Sequence, residues 1–178
     1  MTYPARLMAN FRIAADQLQV DYTLTNNGRE ALYVIDIAIR VTAQGAVVHT
    51  GVPRVEFGPQ GEVILASTAP PFDPSVSYAV PPTFYTSRLE AGASVNRSFA
   101  LTLPLAPAWP PPRREPREIT ADRVAFVLGI IPVSAVPNAA RQEIGGVEVW
   151  WLPANAGQRQ IQLRAEAKVA NLRVLVDR

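Results

Sequence analysis

The chain contains one histidine, His49, and any catalytic site of the Ser-His-Asp type would have to be built around it. The Gly-x-Ser-x-Gly turn that carries the nucleophile of α/β-hydrolases is absent from the sequence. A general acid–base site would need a pocket in which carboxylates converge on His49 or on Glu143. His49 stands alone at the end of a predicted strand, which is typical of a surface or turn residue.

Metal and carboxylate chemistry have equally few candidate residues. The chain has no cysteine, which excludes thiolate zinc and iron–sulfur sites, and no EF-hand-like spacing of aspartates occurs. Glu56 and Glu62 could be named as the facing carboxylates of a glycosidase, but carboxylates on a sheet surface are usually solvated. No Gly-x-Gly-x-x-Gly segment or phosphate-binding loop is present. We therefore predict a protein that is not an enzyme and holds no cofactor and no metal.

Aromatic and arginine side chains are more informative, because Trp, Tyr and Arg are enriched at the hot spots of protein interfaces. Trp109 lies in a proline-rich segment, where the prolines that follow would hold it in an extended chain. Arg113, Arg114 and Arg117 come next. This spacing predicts an exposed aromatic–arginine patch that binds another protein. An exposed strand edge is the other predicted contact surface, for an extended partner or for self-association.

Two further aromatic residues, Trp151 and Tyr85, are candidate binding residues. Trp150 and Trp151 are adjacent, so on a strand they point to opposite faces, one into the core and the other outward or under a loop. Such rings can also close the open ends of a β fold. If they point outward they can stack on sugars, and Asn155 and Gln158 could complete part of such a row. A carbohydrate-binding module, with a glycan as ligand, is therefore the alternative prediction.

Composition limits the class of protein and its partners. The chain has 178 residues, 48% of them apolar, and 17 basic against 15 acidic residues; it is too hydrophobic and too weakly charged to be disordered. Its basic residues, all arginine except Lys168, are scattered, so we expect no nucleic-acid partner. No run of 18 apolar residues occurs, so no membrane span is predicted.

The amino terminus lacks the apolar segment of a secretion signal. This predicts a cytoplasmic protein if Met1 is the natural start, and a periplasmic or secreted protein if the sequence is a trimmed one. Its residues alternate instead, with Leu7, Ala9, Phe11 and Ile13 on one side of an extended chain.

A period of two dominates the chain and predicts half-buried β-strands, first over residues 18–25. Asn26-Asn27-Gly28 then predicts a hairpin, because both Asn-Gly turn positions take a positive φ. The next run, 31–41, is long enough to predict a bend or a change of sheet midway, and Gln44-Gly45 predicts another turn. Strict alternation favours strand over helix in 160–169. Further strands are predicted at 54–57, 63–67, 76–80, 84–89, 94–103, 124–131, 147–152, 160–169 and 172–176.

Two segments interrupt this pattern. Residues 104–118 hold six prolines, which favour an extended polyproline conformation and cannot join a central strand. We predict a proline-rich crossover within a single β-sandwich domain of residues 1–178; a linker between two small β domains is the alternative. Residues 132–146 are predicted to form a long loop. Many short strands between turns indicate an all-β, antiparallel sandwich.

Residues 18–34 (LQVDYTLTNNGREALYV) resemble an early strand pair of bacterial immunoglobulin-like domains, in which an alternating strand ends in an Asn-rich turn. Residues 89–105 (LEAGASVNRSFALTLPL) are similar to a later part of such domains, where a Leu-x-x-Gly turn leads into a strand. The resemblance implies an immunoglobulin-like β-sandwich and no catalytic residue. The cysteine pair of antibody-type domains is missing, which excludes that subgroup.

Overall fold

The computed structural model describes residues 4–69, 75, 83–107 and 116–176. In these residues the regular structure consists of β-strands and three short 3-10 turns, at Pro59–Gly61, Val133–Ala135 and Ala154–Arg159. The strands are β1 (Ala5–Ala14), β2 (Gln17–Asn26), β3 (Leu32–Val34), β4 (Ile37–Thr42), β5 (Gly45–Thr50), β6 (Arg54–Phe57), β7 (Val63–Ser67), β8 (Thr83–Leu89), β9 (Ser94–Thr102), β10 (Arg117–Pro132), β11 (Ala140–Ile144), β12 (Val147–Pro153) and β13 (Ile161–Val176).

The first sheet has three antiparallel strands in the order β1-β2-β9. A two-residue turn, Ala15-Asp16, joins β1 to β2, and Ala15 has a φ of 49°. β2 is the central strand, and its even-numbered residues from Leu18 to Leu24 are buried, as its alternation predicts. The odd-numbered residues of β2 form the solvent face of this sheet.

The second sheet has eight strands built around the 16-residue strand β10. β13 pairs with one edge of β10, and β7 and then β3 pair with the other. β8, β12 and β11 extend the sheet beyond β3, and β6 extends it beyond β7. Strands that precede the proline-rich segment therefore hydrogen-bond to strands that follow it.

The pair β7–β10 is parallel, which corrects the prediction of a wholly antiparallel fold. Val124 to Leu128 run beside Val63 to Ser67 in the same direction. Side chains alternate with a period of two in parallel and antiparallel strands alike, so the sequence pattern could not reveal the direction. A parallel pair needs a long connection, and here β8 and β9 lie between the two strands in the chain.

The hairpin predicted at Asn26-Asn27-Gly28 is wrong, because β2 and β3 belong to different sheets. Neither Asn27 nor Gly28 has a positive φ. The Asn26 side chain is instead fully buried and binds the backbone: its amide nitrogen donates to the carbonyl oxygens of Glu30 at 2.9 Å and Glu90 at 3.1 Å, and its oxygen accepts from Gly28 at 3.0 Å. The Asn-rich segment is thus a corner between sheets.

The change of sheet predicted within 31–41 is confirmed. β3 joins the eight-stranded sheet, whereas β4 pairs only with β5, in a two-stranded hairpin. Its turn, at Thr42 to Gly45, contains the predicted Gln44-Gly45, and Gly45 has a φ of 120°. Ile35 and Asp36 connect the two strands and lie in the interior.

The main core lies between the three-stranded and the eight-stranded sheets. Tyr22 and Phe126 mark it, with ring centroids 4.8 Å apart, and Phe99 lies 5.3 Å from Phe126. A second core, around Tyr33 and Leu152, lies on the other face of the eight-stranded sheet. The turns at Val133–Ala135 and Ala154–Arg159 cover it.

Most other strand predictions agree with the structure to within a few residues, but three regions differ. β10 begins at Arg117, seven residues before the strand predicted at 124–131 and inside the predicted crossover 104–118. Residues 132–146 do not form one long loop, since they contain a 3-10 turn and β11. Residues 160–176 form a single strand, β13, in which Asn171 has a φ of 61°. The strand predicted at 76–80 lies outside the described residues. No helix in the described part of the chain is long and apolar enough to cross a membrane.

Candidate functional site

The predicted aromatic–arginine patch falls mostly on residues that the structure does not describe. Trp109, Arg113 and Arg114 lie outside the described ranges. Arg117 is exposed at the first position of β10, where it pairs with Val176 of β13. The arginine end of the predicted patch therefore lies at the start of the strand that organises the large sheet.

The two other predicted binding residues, Tyr85 and Trp151, are neighbours. They are directly paired across β8 and β12, so their side chains leave the sheet on the same face. Both are half-buried. Adjacent residues on a strand alternate, so Trp151 points away from the second core, which Leu152 enters on the opposite face.

Asn155 and Gln158 do not complete a row with Trp151. They line a separate cavity of about 280 Å³ beside Asn138 and Ala156. Ala156 belongs to the second core, so this cavity lies on the face of the sheet opposite to the Trp151 side chain. The sugar-stacking row that the sequence predicted is not assembled from these three residues.

Trp150 makes the aromatic contacts that sequence reasoning missed. Its ring centroid lies 5.4 Å from that of Tyr33, and the Arg88 guanidinium lies 5.1 Å above the ring. The indole nitrogen donates to the Glu148 carboxylate at 3.3 Å. Trp150 is thus held in place by packing and by charge on the second-core side of the sheet. Arg88 and Trp150 are far apart in the sequence, and no sequence pattern indicated that they are in contact.

A buried ion pair joins the three-stranded sheet to the connection between β3 and β4. The Asp36 side chain has no solvent exposure, whereas that of Arg97 is 29% exposed. The Arg97 Nε donates to Asp36 Oδ2 at 2.6 Å, and the Ser87 hydroxyl donates to Oδ1 at 2.6 Å. Arg97 pairs with the buried Tyr22 across β9 and β2, so its side chain points into the core side of an edge strand.

Burial governs the ionisation of the Asp36 carboxyl. Loss of solvent raises the pKa of the Asp36 carboxyl, and the Arg97 charge and the hydrogen bond from Ser87 oppose the rise only in part. Burial, followed by the negative charge of Asp36, also raises the pKa of Tyr22. Removing one partner of such a buried pair is strongly destabilising, because it leaves the other charge in the interior without compensation.

The hairpin β4–β5 forms one wall of a cavity of about 500 Å³, which we call the hairpin cleft. Ile37, Val48 and Val147 provide its apolar lining, and Arg97 and His49 are among its polar residues. His49 Nδ1 lies 2.8 Å from the Thr50 carbonyl oxygen, which can only accept, so the proton of the neutral ring sits on Nδ1. Glu143, the other residue named for acid–base chemistry, is exposed on β11 and does not line the cleft.

The outer edge of β9 is the second surface feature, which we call the open edge. β9 hydrogen-bonds to β2 along one side over nine residue pairs without a bulge. No described strand hydrogen-bonds to its other side. Its exposed residues are Ser94, Asn96, Ser98, Ala100 and Thr102, none of which is charged.

The hairpin cleft and the open edge carry no arrangement of side chains that is diagnostic of one reaction. The cleft contains one histidine, two arginines and one glutamate, and the edge is formed by backbone groups and small neutral side chains. No protein-family model, no curated protein and no solved structure matches this chain.

Proposed function

We propose that this chain is a non-catalytic protein-interaction module that binds an extended segment of a second protein molecule, either another protein or a further copy of this chain, along the open edge of β9. An immunoglobulin-like sandwich is the fold that we propose for its two packed sheets. The observation that carries the proposal is the uncharged, regular edge of β9. An edge strand offers unpaired N–H and C=O groups, and a partner strand can satisfy them without any special side chain.

Charge and length together distinguish β9 from the other edge strands of the described sheets, since the uncharged edge strand β5 has six residues against the nine of β9. β1 presents Arg12 to solvent and β13 presents Lys168, and such charges discourage the addition of a further strand. β6 and β11 have only four and five residues, and each carries exposed charged groups. The only charged residue of β9, Arg97, turns inward to Asp36 and leaves the solvent face of the edge neutral.

Strand addition would also increase burial on the inner side of β9. Val95, Phe99 and Leu101 pack against the main core but are only partly buried. A strand laid beside them would cover the flank that solvent now reaches, which adds a hydrophobic contribution to the backbone hydrogen bonds. The proline-rich segment with Trp109 is a second proposed contact surface for the same partner.

The test is capture of a partner by the purified chain, with two lysine substitutions compared. Ala100→Lys places a charge on the open edge, and Asn10→Lys places the same charge on the solvent face of β1 in the same sheet. Both original residues are exposed. We expect a protein that the parent and Asn10→Lys retain and that Ala100→Lys loses.

Equal retention by both variants would contradict binding at β9. Loss of the partner only in Trp109→Ala would move the contact to the proline-rich segment. Binding of soluble glycans by the parent, with no protein retained, would favour the carbohydrate-binding alternative.

A further inference from the structure

We infer that the occupant of the open edge is a second copy of this chain, paired with β9 antiparallel about a twofold axis at Ala100. This inference rests on the proposed function and names its partner. The two three-stranded sheets would then join into one six-stranded sheet, in the order β1-β2-β9 followed by the same strands of the partner in reverse. A twofold arrangement uses the same surface on both copies, so it closes at a dimer.

The position of the axis follows from the part of β9 that is accessible. Arg97 lines the hairpin cleft together with His49 and Thr50, so the base of the hairpin β4–β5 approaches β9 at that residue. Beyond Arg97, β9 continues to Thr102. Five residues, 98–102, remain for pairing, and Ala100 is their centre.

The solvent face of this segment is complementary to itself. With Ala100 opposite its own copy, Ser98 faces Thr102 of the second copy, and the reverse contact repeats on the other side of the axis. Paired hydroxyl side chains already occur across the same sheet, where the Thr25 and Ser94 oxygens are 2.9 Å apart. Two methyl groups meet at the axis, so the pairing involves no charge repulsion.

The inner face of the segment is also complementary to itself. Phe99 would lie opposite Leu101 of the second copy, and both residues are partly buried against the main core. Aromatic–aliphatic pairs directly opposite each other on neighbouring strands are favourable. Both faces of the strand thus match in one register, which a shift by a single residue would destroy.

Strand pairing over five residues buries a small area, so the dimer is expected to be weak and dependent on concentration. Sedimentation equilibrium of the parent, from about ten micromolar to about one millimolar, should show the mass rise from 19.4 kDa towards twice that value. Ala100→Lys should remain at 19.4 kDa over the same range, because two ammonium groups would meet at the axis. Asn10→Lys should behave like the parent.

Opposite charges provide the decisive arm of this test. Ala100→Glu alone should also be monomeric, whereas an equimolar mixture of Ala100→Lys and Ala100→Glu should recover the dimer as a heterodimer. A mixture that stays monomeric while the parent dimerises would place the contact elsewhere and overturn the register.

Cross-linking locates the axis. The chain has no cysteine, so Ala100→Cys introduces a single thiol, and a short bismaleimide reagent should link two copies. Asn10→Cys is the matched control and should not be linked. Equal yields in both variants would contradict the twofold axis at Ala100.

The outcomes separate this inference from the proposed function. A parent that is monomeric at every concentration, and that still captures another protein through an edge sensitive to Ala100→Lys, overturns the self-pairing and leaves the interaction module intact. Both the self-pairing and the interaction module are overturned if Ala100→Lys weakens neither the dimer nor the capture of another protein.

Discussion

The Nε atom of Arg97 lies 2.6 Å from Oδ2 of Asp36, and this contact ties the three-stranded sheet to the segment between β3 and β4. Arg97 belongs to β9 of the three-stranded sheet. Asp36 follows β3, at the point where the chain leaves the eight-stranded sheet for the hairpin β4–β5. One ion pair therefore connects the edge strand β9 to the junction with the hairpin, and its arginine also lines the hairpin cleft.

Removal of Arg97 should destabilise the fold more than removal of the Asp36 charge. Arg97→Leu leaves a carboxylate without its partner in the interior, and we expect the free energy of unfolding to fall by about 3–5 kcal/mol. Asp36→Asn should lower it by about 1–2 kcal/mol, because the partly exposed Arg97 side chain can turn towards water. Urea unfolding of both variants measures the difference.

The double variant Arg97→Leu/Asp36→Asn is the control for this comparison. It contains no unpaired charge, so its stability should exceed that of Arg97→Leu alone. Additive losses in the double variant would show that the two side chains do not interact.

The raised pKa of Asp36 makes the stability of the parent depend on pH in the acid range. Because the pKa of the carboxyl is higher in the folded chain than its ordinary value of 3.8, the folded state binds the proton more tightly than the unfolded state. The Asp36 contribution is therefore fully present below the unfolded pKa and is lost as pH rises through the folded pKa. Asp36→Asn lacks this dependence.

The measurement is the free energy of unfolding of the parent minus that of Asp36→Asn, from about pH 3 to about pH 7. We expect the difference to decrease as pH rises. A difference that increases with pH would mean that pairing with Arg97 outweighs burial and that the pKa is lowered in the folded chain.

The strands could be predicted from the sequence, but their partners could not. Alternation within β2 and β9 identified both strands and their buried faces, because this signal is local. The parallel pairing of β7 with β10 depends on residues that are about 60 positions apart in the sequence, and a period of two is the same in either direction. The hairpin prediction is wrong for a related reason: Asn27-Gly28 is a local turn signal, whereas the contact of the Asn26 side chain with the Glu90 carbonyl is distant in sequence.

The candidate site was predictable only in part. The sequence indicates Tyr85 and Trp151 as two separate candidate binding residues, whereas the β8–β12 register shows that they are neighbours. The Asp36–Arg97 pair could not be identified, because the alternation of β9 places Arg97 on the same face as Val95 and Phe99 but carries no information about a partner 61 residues away. The neutral solvent face of β9 was visible in the sequence, but its position at the edge of a sheet was not.

Asn26 should be more important for stability than its neighbour Asn27. Its side chain is fully buried and bonds backbone groups of the corner and of the β8–β9 turn, so Asn26→Ala leaves several of them without a partner. We expect thermal or urea unfolding to show a loss of about 2–3 kcal/mol. Asn27 is exposed, and Asn27→Ala should change the stability by less than about 0.5 kcal/mol. Similar losses in the two variants would contradict a tethering role for the buried amide.

Trp151 decides between a structural and a ligand-binding role for the paired rings. It is half-buried beside Tyr85, so Trp151→Ala should lower the free energy of unfolding by about 2–3 kcal/mol through lost packing. Val147 is the matched control: it lies on the same strand and face, is 45% exposed, and Val147→Ala should cost less than about 1 kcal/mol. If Trp151→Ala keeps the stability of the parent and instead abolishes glycan binding, its ring is a stacking surface, and the carbohydrate-binding alternative replaces the interaction module.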